Sequence, residues 1–284
     1  MFRSVLARLV RVRVTLGYTA ALVAVAAALL ALGPHVRDQV IRHASTNLHN
    51  LGEGRIGTLI GSAFVNEAEP IYVWLPGLVA LLAVAELLLR SWRLVVAFVV
   101  GHVGATLLVA AGLAAAVGVG VLSMSVVNVT DVGMSYGAIG VLGALTAAIP
   151  RRWRAAWTGW WLAVAFGSAA ASGGDFTNVG HAVALVLGMV VGTRFGHPAH
   201  WTTARYGLLA IAVSFGFMIL AYTPAPVVVM ALLGTVGGVA AHWGDRALCA
   251  RRNAQRNSSA LASIQSDSHA SGASSSSSPG ISQS

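Results

Sequence analysis

The chain has 284 residues, of which 56% are hydrophobic and only 10% charged, and its formal net charge is +9. A soluble domain of this size would carry roughly a quarter charged residues, so a water-soluble globular fold is excluded. All the basic side chains are Arg, set at alternate ends of apolar segments; that is membrane topology, not nucleic-acid binding, and the lone Cys249 permits no intramolecular disulfide.

Residues 1–13 carry Arg3, Arg8, Arg11 and Arg13 and form a basic arm expected to stay in the cytoplasm. The first apolar span covers 14–32 and is closed by Gly33-Pro34. A long polar connection over 33–70 follows, too long for a simple turn, and its apolar patch at 56–65 is expected to lie in the membrane interface. Further spans are expected at 71–89, 94–116, 133–149, 155–171, 179–193, 206–223 and 226–243, which makes eight in all. With the N-terminus inside, the cytoplasmic segments hold 15 Arg and the outer ones three, so both termini are expected in the cytoplasm and the chain in the plasma membrane. Residues 246–284 read as a disordered Ser-rich tail.

The chemistry concentrates in two short stretches. Asp131-Val132-Gly133-Met134-Ser135-Tyr136-Gly137 opens the fourth span, and Asn178-Val179-Gly180-His181 opens the sixth. Both spans run from outside to inside. Ser135 lies sixteen residues before Arg151 and His181 thirteen before Arg194, which places them about 24 and about 20 Å above the arginines. A serine hydroxyl needs a base to become a nucleophile, and histidine is the commonest such base. Gly188 and Gly192 share a face with His181 at GxxxG spacing, which favours a neighbouring helix pressed against that face. On the fourth span Gly133, Gly137, Gly140 and Ala144 form a similar stripe, but on a regular helix it points away from Ser135. Either Ser135 sits at a loosened helix start, which we favour, or the stripe serves another contact.

Other polar side chains carry two readings each. His102, about 14 Å up the third span from Arg93, is either a donor to the site or a polar group bonded across helices. Asn47, His49 and Asn50 either dip into the site from the outer loop or stay solvated. Asp131 either orients His181 or caps the fourth span. Asp175 reads as a solvated loop acid, and Glu86 with Arg90 as a same-helix pair. No internal repeat is visible, and His102 is the only ionisable group near mid-membrane, which argues against a solute transporter.

These residues resemble the rhomboid family of intramembrane serine proteases, and more narrowly its actinobacterial rhomboid-like members. The resemblance rests on 45–51 (Ser-Thr-Asn-Leu-His-Asn-Leu), 101–106 (Gly-His-Val-Gly-Ala-Thr), the Ser135 stretch and Gly180-His181. It implies an all-α polytopic membrane fold with a six-helix core over 14–194; the last two apolar spans, within 195–245, lie outside the resemblance as two additional helices. It also implies a catalytic pair of Ser135 and His181 that requires no third acid and no cofactor or metal; Asp131, His102, Asn47 and Asn50 are, from their positions, the candidate supporting residues. Its partners would be the transmembrane segments of other membrane proteins, cut near their outer ends. Two departures stand out. The family has Gly directly after the serine, where this chain has Tyr136. Its oxyanion-binding His and Asn fall, counting back from Glu86, at Pro70 and Trp74. The alternative is a non-catalytic rhomboid-like protein that binds or chaperones membrane clients, and the two additional spans are expected to add no catalytic group.

Overall fold

The structure is a computed structural model that describes residues 9–65, 71–123, 132–196 and 198–274, with side chains described as far as residue 259. Its first long helix, α1 (Arg13–Leu32), is entered through a 3-10 turn and stopped by Gly33, whose φ of +84° suits glycine. Pro34 then fills the first position of α2 (Pro34–Ala44), where its missing N–H costs nothing. The described remainder of the connection after α1 contains two further short helices, α3 (Leu48–Gly52) and α4 (Thr58–Gly61). The second span is α5 (Ile71–Leu89). The third is continuous but changes winding: α6 (Ser91–Val99), a π turn at Val100–Gly104, then α7 (Ala105–Gly118). Then come α8 (Ser135–Ala144), α9 (Arg151–Ala171), α10 (Phe176–Gly192), α11 (Thr203–Leu220) and α12 (Val227–Ser274).

Among the described residues five helices are long and apolar enough to cross a bilayer: Val10–Leu32, Ile71–Leu89, Ser91–Gly118, Thr203–Leu220 and Val227–Ser259. The all-helical, multi-pass membrane class expected from composition is what the structure has. Of the other expected spans, α8 and α10 are shorter apolar helices, and α9 begins Arg-Arg-Trp-Arg. Helix α8 passes into a 3-10 turn at Leu145–Ala147, ahead of Pro150. It is the central helix, surrounded by α5, α6, α10 and α11, and every residue from Tyr136 to Ala144 is buried.

Lipid tails are as apolar as leucine, so helix association in a bilayer depends on close backbone approach rather than on escape from water. The small residues supply that approach. A Cβ added to Gly188 would sit 1.9 Å from the Gly140 carbonyl oxygen, and one on Gly101 would sit 2.7 Å from the Gly140 Cα. The same device joins α9 to α12, where a Cβ on Gly159 would meet the Gly237 carbonyl at 2.4 Å. Helix α11 is built into the core, with Ala212 and Leu220 buried and Phe215 lying over Gly77 of α5. Large apolar side chains such as Leu30, Val190, Met218 and Val236 remain exposed on the perimeter, where lipid would cover them.

Three local expectations are corrected. Glu86 does not pair with Arg90. Its buried carboxylate accepts from the Val14 and Thr15 amides, the Thr15 hydroxyl and the Ser91 hydroxyl, at 2.7–3.0 Å. It therefore caps the starts of two other helices, where first-turn donors lack partners of their own. Asp175 is no idle loop acid, because its carboxylate caps α10 by accepting from the Thr177 and Asn178 amides. The chain after Trp243, read as disordered from 246, continues as the helix α12 to Ser274, with residues 244–259 exposed.

Candidate functional site

The outer connection is tied down before the candidate residues are reached. Ser62, fully buried, forms a hydrogen bond of 3.1 Å between its Oγ and Nε2 of His102 on the π turn. Tyr18 of α1 donates to the Ala63 carbonyl at 2.6 Å, and the Gly133 amide donates to the Ser62 carbonyl at 2.9 Å. One short segment thus links the first span, the third span and the approach to α8. His102 takes the cross-element bonding role among its two readings, and its ring stacks on Phe98. Ser62 as its partner was missed, although the π turn could not have been read from an unbroken apolar run.

Asn47 is half-buried and Asn50 buried, and both bond within their own connection. Asn47 caps α3 by accepting from the Asn50 amide, while Asn50 is buried and donates to the Arg42 and Ser45 carbonyls. Both hold the loop's own shape. Asp131 and Pro70 lie outside the described residues, and Trp74 is half-buried against the core.

Helix α8 begins at Ser135 itself. Gly133 has φ +125°, a conformation closed to most side chains, and Met134 stands at the N-cap without a side-chain bond to the first turn. The register against α10 follows from the closest approaches, Gly140 to Gly188 and Ala144 to Gly192. Both pairs differ by 48 in number, so Ser135 stands level with Val183. His181 lies two residues, about 3 Å, nearer the arginine-poor end.

Matched depth does not bring the two side chains together. The residues of α8 that meet α10 are Tyr136, Gly140, Gly143 and Ala144. Ser135 falls about 100° round the helix from Tyr136, on the side of Leu142, which packs against Gly216 of α11. Tyr136 takes the place facing His181, with ring centroids 5.3 Å apart and planes at 83°. Gly180 makes room for it: a Cβ there would lie 2.3 Å from the Tyr136 Cζ and Oη. The small-residue stripe of α8 therefore serves helix packing, and Ser135 is half-buried at the helix start.

His181 is 5% exposed, and neither ring nitrogen has a hydrogen-bond partner among the described residues. An imidazole sealed among helices without a partner forfeits the hydration it had in water, which costs about 1–3 kcal/mol. A purely structural residue would be expected to shed that cost. Ser135 is half-buried at the start of α8, whose first turn has no side-chain cap. No group of three or more His, Cys, Asp or Glu among the described residues is placed to hold a metal ion.

Comparison with curated proteins and with solved structures gave no match. A family model described as "Rhomboid-like protein" matches residues 10–194, which takes in the connection after α1, Ser62 and His102, and Ser135 and His181 on α8 and α10. The chain belongs to the rhomboid-like protein family.

Proposed function

We propose that this protein is an intramembrane serine peptidase whose pair, Ser135 as nucleophile and His181 as base, is held apart by Tyr136 until a transmembrane segment of another protein enters. The observation that carries this reading is the buried His181, unpartnered at both ring nitrogens among the described residues and about 3 Å in depth from a half-buried serine. In the working state Ser135 Oγ attacks the scissile carbonyl carbon and its proton passes to His181. His181 then protonates the departing amine; a water, deprotonated by His181, attacks the acyl-enzyme ester, and the ester C–O bond breaks as His181 returns that proton to Ser135 Oγ. First-turn amides of α8 face the developing oxyanion, a role that a helix N-terminus suits. The work is done in the plasma membrane with the arginine-rich ends and both termini in the cytoplasm, as the Arg distribution supports.

A second reading has its own observation in favour. Tyr136 on His181 resembles a packed ring pair, and a protein built this way binds or chaperones membrane clients at the same mouth without cutting them. Fluorophosphonate labelling in membranes separates the two. The peptidase reading expects labelling that disappears in Ser135→Ala and His181→Ala and rises in Tyr136→Ala. Folded wild type and folded Tyr136→Ala that both stay unlabelled would sink it in favour of client binding.

A further inference from the structure

At the arginine-rich end of the bundle a cavity of about 440 Å³ opens between the end of α8, the start of α9, the end of α10 and the segment that follows it. Thr146, Arg151, Arg154, Thr193, Phe195 and Gly196 are among the residues that line it. Its volume is that of a small-ligand site. Arg154 is fixed in place, with Nη2 donating to the Ala147 and Ile149 carbonyls, both at 3.1 Å, while its buried Nε has no partner. Arg93, outside the lining itself, touches two residues of it: it lies against Trp92 and Phe195 and donates to the Gly196 carbonyl, and its buried Nε is also unpartnered.

No carboxylate answers this charge. Among the described residues the ion pairs both involve Glu53 of the outer connection, and Glu86, the nearest acid in sequence to Arg93, is committed to two helix starts. The first turn of α9 adds uncapped donors, because Pro150 at its N-cap has no side chain to offer.

We propose that this cavity binds a phosphate anion, with Arg151 as its mobile clamp and Arg154 as its fixed wall. Guanidinium groups suit phosphate because their paired N–H donors match its oxygens. Basic pockets between helices at a membrane face take such groups from anionic lipids, and free phosphate offers the same chemistry. The proposal does not depend on whether Ser135 is a nucleophile.

The test follows the melting temperature of the full-length protein in a neutral detergent, titrated with phosphatidylglycerol or, separately, with inorganic phosphate. Wild type is expected to gain stability with saturation, and Arg151→Gln to need roughly tenfold more of the same anion. Arg152→Gln, one residue away but outside the cavity lining, is expected to titrate like wild type. Saturable, Arg151-dependent stabilisation by phosphatidylglycerol alone assigns the site to a lipid headgroup, and the same response to inorganic phosphate assigns it to a soluble anion. Absence of stabilisation in wild type, or an equal loss in Arg152→Gln, would overturn the proposal and leave only diffuse attraction to a basic surface.

Discussion

Gly188→Ala probes the contact that sets the geometry of the site. The new Cβ would stand 1.9 Å from the Gly140 carbonyl oxygen, whereas real Cβ contacts essentially never fall below 3.0 Å. The opposing atom is backbone, so no side chain can turn aside. Helices α8 and α10 must part by at least the difference, about 1.1 Å, or tilt to the same effect. Overpacking of a tight contact costs about 1–3 kcal/mol, which for a chain of this size lowers the melting temperature by about 2–12 °C. The assay is thermal unfolding in detergent, with Gly112→Ala as the matched control. Gly112 lies in α7 with nothing within 4 Å of an added Cβ, so alanine there should be neutral or stabilising by up to ~1 kcal/mol through helix propensity. The two variants should shift in opposite directions. If Gly188→Ala melted with Gly112→Ala, the backbone contact between α8 and α10 would be wrong, and with it the register that places Tyr136 on His181.

Glu86→Ala should destabilise the protein by about 3–5 kcal/mol, since it strands four donors around a buried carboxylate; unfolding in detergent checks it, and an exposed substitution such as Glu53→Ala should cost little. His181→Leu should melt at or above the wild-type temperature, because it removes an unpartnered imidazole from an apolar interface. The same variant should abolish serine labelling, a combination that a structural histidine would not give. Ser62→Ala should loosen the outer connection by about 1 kcal/mol, read as faster trypsin cleavage at Arg55 in intact vesicles or micelles, with cleavage unchanged if the bond to His102 does no holding.

Most of the fold was legible because bilayer physics writes it in composition. The 71–89 span coincides with the observed helix, and the Gly188/Gly192 pair was recognisable as a close-packing face without knowledge of its partner. The site was harder. Depth along a helix can be counted from the arginines, but azimuth depends on where regular winding begins. Helical geometry starting at Ser135 turns that residue towards α11 and gives the His181 face to Tyr136. The loop asparagines misled for a related reason: polar residues in a long connection look solvated, yet Asn50 is buried because it satisfies two carbonyls of that connection. Glu86 looked paired to Arg90 because i,i+4 spacing is visible in one dimension. Its actual partners lie 71 and 72 residues away at Thr15 and Val14.

That separation sets an order of assembly. The first span leaves the ribosome with the amides of Val14 and Thr15 unanswered, and the carboxylate that answers them is made some seventy residues later. Until Glu86 arrives, water at the membrane face must solvate those amides, so α1 waits at its arginine-rich end as an independent inserted helix. The second span then enters from the opposite side, and its last turn delivers the acid. Glu86 thus joins the first span to the second and third, and a chain that ends before it lacks the acceptor for those amides.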